Sequence, residues 1–123
     1  MNNPFPVLGF DIGGTKIAVC LGTSDGKILG SARVDNKNRP PEIVLPELVQ
    51  TGRRLLSEAG IPSQDLKAIG IGSPAPMDFL KGMILTPPNM KTWRNVAIRD
   101  YLAKEFGVEA FFDNDANGGG VAE

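Results

Sequence analysis

Histidine is absent from these 123 residues. That excludes imidazole catalysis and His-ligated metal sites from the segment, and leaves carboxylates as the acid–base groups near neutral pH. Cysteine occurs once, at Cys20, so no disulfide can form within the chain. Its place in an alternating strand pattern reads as a small buried side chain. No apolar run approaches the roughly 18 residues of a membrane-spanning helix. The start, "MNNPFPVLGF", has neither the basic opening nor the long apolar stretch of a signal peptide, so a cytoplasmic location is the expectation. A surplus of one charge sign is lacking too: the formal net charge is -1, with basic residues scattered, which gives no footprint for nucleic acid.

What remains is ordinary for a globular domain with one sizeable core, at 41% hydrophobic and 22% charged residues. Residues 7–12, 16–23 and 27–35 read as three short strands, the last two joined by the Asp25-Gly26 turn. A polar linker, "DNKNRPP", follows. Leu45, Leu48, Gly52, Leu55, Leu56 and Ala59 then recur at spacings of three and four, the stripe of a helix with Pro41 or Pro46 in its first turn and Gly60 and Pro62 at its end. Residues 66–73 form an apolar run expected of a strand covered on both faces. The Pro-rich stretch 74–93 reads as a long structured loop with a strand-like piece at Met83 to Leu85. Asn95 is the expected cap of a helix carrying Ile98, Leu102 and Phe106 and stopped by Gly107. "VEAFFD" is another buried strand, and "NDANGGGVAE" begins a helix. The order β-β-β-α-β-α-β-α predicts a mixed sheet with helices on both faces. The last helix has no closing element, so the chain is expected to be the N-terminal domain of a longer protein.

Two stretches carry chemistry. In "GFDIGGTKIAV" a strand ends at Asp11 and is followed by bare backbone at Gly13 and Gly14, then Thr15 and Lys16. Glycines let main-chain N–H groups approach an anion, and a carboxylate beside the turn suits the metal ion of a nucleotide. Two antiparallel strands joined by a Gly-Gly turn explain the same residues without any ligand. In "FFDNDANGGG", Asp113, Asn114 and Asp115 follow a strand directly, where α/β sheets gather ligand groups. Asn and Asp side chains grip adjacent hydroxyls well, yet they also cap helices.

"DIGGTK", "GIGSPAPMD", "TPPN" and "DNDANGGGVAE", in this order, resemble the ROK family of bacterial sugar kinases and repressors over nearly the whole chain. The resemblance implies the actin-like ATPase fold, a ribonuclease H-like α/β domain with a mixed sheet of about five strands, here the first (1–123) of two domains closing on ATP and a sugar. By that resemblance Asp11, Gly13, Gly14, Thr15 and Lys16 belong to the first phosphate loop, with Asp11 near Mg²⁺. Ala75, Asn89, Asn114 and Asp115 match sugar-contacting positions, and Asp115 matches the general base. The implied reaction is γ-phosphoryl transfer from ATP to a hexose or hexose derivative, as in glucokinases. The alternative is the non-catalytic sugar-sensing domain of a ROK repressor, although eight residues before Gly9 are too few for a helix-turn-helix. The implied partners are a small sugar and a nucleotide, not nucleic acid or membrane. The full-length protein is expected to be a homodimer, and a family zinc site (Zn²⁺) would lie beyond Glu123. The 123-residue chain alone is expected to be inactive. Two departures stand out. Ala75 replaces a glycine usual in the family, and Gly118, Gly119 and Gly120 replace better helix formers, each at up to about 1 kcal/mol.

Overall fold

The computed structural model describes residues 3–73, 77–78, 80–85, 87 and 90–114. The chain opens as an antiparallel meander of β1 (Pro6–Asp11), β2 (Lys16–Thr23) and β3 (Ile28–Asp35). Helix α1 (Pro41–Glu58) follows, then β4 (Ala68–Ser73), a small hairpin of β5 (Met77–Asp78) and β6 (Met83–Ile84), helix α2 (Ile98–Phe106) and β7 (Glu109–Asn114). The main sheet has five strands in the order β3-β2-β1-β4-β7. β1 pairs antiparallel with β2 and parallel with β4, and β4 pairs parallel with β7, so the sheet is mixed, as the element order predicts.

Alternation decides which face is covered. Leu8, Phe10, Ile17, Val19, Leu21, Ile69 and Ile71 all point to one side and are buried. Their cover is α1, whose buried stripe is Val44, Leu48, Val49, Gly52, Leu55 and Leu56, and α2, which adds Ile98 and Leu102. The other side carries small residues, among them Gly9, Ala18, Cys20, Gly70 and Gly72, none of them fully buried. Both described helices thus lie on one face; the helix expected to begin after β7 falls in residues 115–123, outside the described residues. β4 was expected to be covered twice. Among the described residues its Ile69, Ile71 and Ser73 are buried, while Gly70 is exposed.

Local chemistry explains the boundaries. Pro41 occupies the first helical position of α1, where no N–H is missed, and Pro46 is tolerated inside the helix. The end of α1 is a Schellman motif. Gly60 takes φ 72°, its N–H reaches the Ser57 carbonyl at 3.0 Å, and the Ile61 N–H reaches the Leu56 carbonyl at 2.9 Å. Asn95 does not cap α2. It adopts φ 52°, and Ala97 stands at the cap position without a side-chain bond. Asn95 instead turns the chain after β6, donating its N–H to the Leu85 carbonyl at 3.2 Å, while Val96 bridges back to Ile84. Gly107, at φ 70°, ends α2 as expected.

The segment 35–41 is no passive linker. Asn36 is buried, and Arg39 grips Glu47 of α1 through two contacts, Nη1 to Oε1 at 3.0 Å and Nη2 to Oε2 at 2.5 Å. The guanidinium beside Glu47 holds its carboxyl below the usual carboxylate range.

Candidate functional site

The β1–β2 connection is both a hairpin and a shaped loop. Antiparallel pairing runs from Pro6↔Thr23 to Asp11↔Ala18, and residues 12–15 link the strands while Lys16 and Ile17 already pair with β3. That link is longer than a two-residue Gly-Gly turn. The Ile12 N–H remains tied to the Gly72 carbonyl at 2.8 Å, so the loop springs from the point where β1 and β4 end together. Gly13 is required by close approach. A Cβ there would stand 2.6 Å from the Lys16 carbonyl oxygen, so any side chain would press on the loop's own backbone.

Three polar side chains line the hollow beside this loop. Asp11 and Lys16 are exposed, Gly13 and Gly14 are half-buried, and Thr15 is exposed. A cavity of about 250 Å³ is bounded by Asp11, Ile12, Gly13, Lys16, Ala18 and Arg33. Its floor is a register row across three strands, Asp11 opposite Ala18 and Ala18 opposite Arg33. Two cations and one carboxylate around exposed backbone make a place where a polyanion and its counterion can sit. Among the described residues no three His, Cys, Asp or Glu side chains gather as a metal cage. The Asp11 carboxylate suits Mg²⁺, which is usually held by one or two carboxylates together with substrate phosphates and water. Cys20 lies on the same sheet face, half-buried, and burial pushes its thiol up.

The sequence reading did not find Arg33 or Asn36. Arg33 lies on a strand whose own pattern is unremarkable, and only the β2–β3 register carries it to the hollow. Asn36 sits behind the loop. Its Nδ2 donates to the Gly13 carbonyl at 2.7 Å, and its backbone N–H donates to the Thr15 carbonyl at 2.7 Å. Its Oδ1 accepts from the indole Nε1–H of Trp93 at 3.1 Å. One signal was available: a buried tryptophan needs an acceptor for its N–H.

The strand ends converge. Asp11 is in register with Gly72 and Gly72 with Asp113, while Ser73 is opposite Asn114. Neighbouring strands lie about 4.8 Å apart, so the backbones of Asp11 and Asp113 stand about 10 Å apart across β4. Asn114 is the last residue of β7. Ala75, Asn89 and Asp115 lie outside the described residues.

Known proteins resemble this chain over most of its length. The chain is 35% identical over 118 residues to a glucokinase of Thermotoga maritima, covering 90% of this chain and 34% of that protein. It is 27% identical to a xylose repressor of Caldicellulosiruptor bescii, covering 95% of this chain and 29% of that one. Among solved structures, a ROK hexokinase from Thermus thermophilus superposes with a TM-score of 0.75 at 36% identity, over 92% of this chain and 36% of that one. A ROK glucokinase from Streptomyces griseus, solved with glucose and AMPPNP, superposes at 0.68 and 30% identity, over 91% and 34%. The chain therefore spans about a third of the length of these relatives. The ROK family model matches residues 7–123. Carrying the actin-like ATPase fold with its mixed five-stranded sheet, the chain belongs to the ROK family.

Proposed function

We propose that this chain is the N-terminal domain of an ATP-dependent sugar kinase that transfers the γ-phosphoryl group to a hydroxyl of a hexose or hexose derivative. The observation that carries the reading is the hollow at the end of β1, where Asp11, Lys16 and Arg33 surround the bare backbone of Gly13. Relatives that are glucokinases, one of them solved with glucose and an ATP analogue, support it.

In this reading the residues divide the work. Main-chain N–H groups of the 13–16 loop and the Lys16 ammonium hold phosphate oxygens, and Arg33 adds charge from the neighbouring strand. Asp11 fits Mg²⁺, which neutralises charge on the phosphates when bound. Ala75, Asn89 and Asn114 match sugar-contacting positions of the family, and the two amides suit sugar hydroxyls. Asp115 takes the proton of the attacking hydroxyl as its oxygen bonds to the γ-phosphorus and the bond to the ADP oxygen breaks. Such transfer runs on positioning and charge stabilisation, which a rigid strand-end loop supplies.

The xylose repressor relatives favour a second reading, a sugar-sensing domain without catalysis. One experiment separates the two. The full-length protein is given a panel of hexoses with Mg·ATP, or with polyphosphate as a second donor, and sugar phosphate is detected by mass. Turnover on the order of 1 to 100 per second supports the kinase. Sugar binding by calorimetry with no sugar phosphate formed overturns it in favour of the sensor.

A further inference from the structure

Among the described residues the buried polar or charged side chains are Asn36 and Ser73. A buried amide is costly unless its groups are paired, and Asn36 is paired on both sides. Its amide nitrogen faces the Gly13 carbonyl, and its oxygen faces the indole of Trp93, which is fully buried. These contacts bridge 23 residues in one direction and 57 in the other. The same residue also holds the Thr15 carbonyl through its backbone N–H.

Peptide geometry turns this into a statement about the loop. In a trans peptide the C=O and N–H point in opposite directions. With the Gly13 and Thr15 carbonyls both drawn toward Asn36, the N–H groups of Gly14 and Lys16 point away from it. Two donors of the kind that bind phosphate are thereby aimed by one residue behind the loop. Trp93 fixes that residue in turn, because its indole N–H selects which end of the amide faces it and leaves the NH₂ group for Gly13. Trp93 belongs to the segment that follows the "TPPN" stretch. Its own N–H donates to the Met90 carbonyl at 2.9 Å, and Met90 N–H donates to the Pro87 carbonyl at 3.0 Å. The next-door Thr92 hydroxyl donates to the Arg39 carbonyl at 3.0 Å.

We infer that Asn36 is a positioning residue that aims the phosphate loop and, through Trp93, couples phosphate binding there to the conformation of residues 90–93. The inference rests on the phosphate-loop reading of residues 11–16 and adds a residue and a coupling to it. A ligand that draws the Gly14 and Lys16 amides outward pulls on Gly13 and Asn36, and the pull ends at the Trp93 indole.

In the ¹⁵N-labelled full-length protein the indole N–H resonance of Trp93 is assigned by its absence from the Trp93→Phe variant. Titration of that protein with magnesium tripolyphosphate in the millimolar range is expected to move the amide resonances of Gly13 to Lys16 and the indole resonance together, with one Kd. Asn36→Asp keeps an acceptor for Trp93 but removes the donor to Gly13; it should weaken tripolyphosphate binding by about 10-fold or more and leave the indole unresponsive. Trp93→Phe keeps the Asn36 side chain and loses only its partner, and should weaken binding by about 2- to 10-fold. Loop amides that move while the wild-type indole stays still overturn the coupling. If Asn36→Asp does not fold, Trp93→Phe decides: a folded variant with wild-type affinity overturns the positioning role. If neither the loop amides nor the indole responds in the wild type, the phosphate-loop reading fails and the inference falls with it, which tells the two failures apart.

Discussion

Gly52 of α1 and Phe106 of α2 meet so closely that a Cβ on Gly52 would stand 2.9 Å from the Phe106 ring, and 3.0 Å from a Leu8 methyl on the other side. The missing side chain is what lets the two helices share one sheet face. Phe106 also packs obliquely on Phe10, with centroids 6.3 Å apart, and Arg53 lies over its ring at 5.7 Å. Helix propensity favours alanine at this position by about 1 kcal/mol, but overpacking a core typically costs about 1–3 kcal/mol. Gly52→Val should therefore lower stability by about 2 kcal/mol or more, read as a fall in urea midpoint at unchanged slope. Gly52→Ala should fall between it and the wild type.

Asp115→Asn, made in the full-length protein, should lower kcat by about 10² to 10⁴ while changing KM for the sugar little. Asparagine keeps the size and most of the hydrogen bonding, so binding survives, but it accepts no proton. A helix cap would behave differently, because asparagine caps about as well as aspartate. Near-normal kcat in a folded variant returns Asp115 to capping.

Arg33→Ala and Lys16→Ala should each raise KM for the nucleotide, Arg33→Ala by about 3- to 10-fold, with the loss shrinking as salt is added. Both side chains line the hollow beside Asp11 and both are exposed, so their charge is partly screened. Sugar KM should stay near the wild-type value. A sugar effect as large as the nucleotide effect would detach Arg33 from the phosphate subsite.

The Arg39–Glu47 pair predicts a pH dependence of stability. Hydrogen bonding to Arg39 lowers the Glu47 pKa in the folded state. A carboxyl depressed on folding contributes stability that is present above its unfolded pKa, about 4.3, and is lost as pH falls through the folded one. The Tm advantage of the wild type over Glu47→Gln should therefore be present at pH 7 and fade below about pH 4. The pair is partly exposed, at 27% and 42%, so the advantage is small and declines with salt. A difference that grew on acidification would contradict the assignment.

The secondary structure was legible where one periodicity dominated. The three opening strands and the stripe of α1 match the observed elements within one or two residues, because burial on one face imposes their period. Asn95 misled because a cap is recognised by side-chain chemistry, while its actual role is a positive-φ turn held by a backbone bond to Leu85. Arg33 and Asn36 were illegible for another reason. Each acts through a partner on a different element, Ala18 and Asp11 by register in one case, Gly13 and Trp93 in the other. Local pattern carries no record of such partners. The glycines and carboxylate of "DIGGTK" were visible because they sit in consecutive residues, whereas the "DNDAN" reading runs past Asn114, outside the described residues.

The topology also sets an order of assembly. β1, β2 and β3 pair through connections of four residues each, whereas joining β1 to β4 closes a loop of more than fifty. Loop closure grows more costly with length, and non-local pairing is slow. The meander, with the glycine-bearing loop between its first two strands and Asn36 just past its third, can therefore form from local contacts early in folding. Substitutions such as Val19→Ala should slow folding, while Ile71→Val in β4 should mainly speed unfolding. Trp93 then arrives late, as a keystone set into an arch already standing.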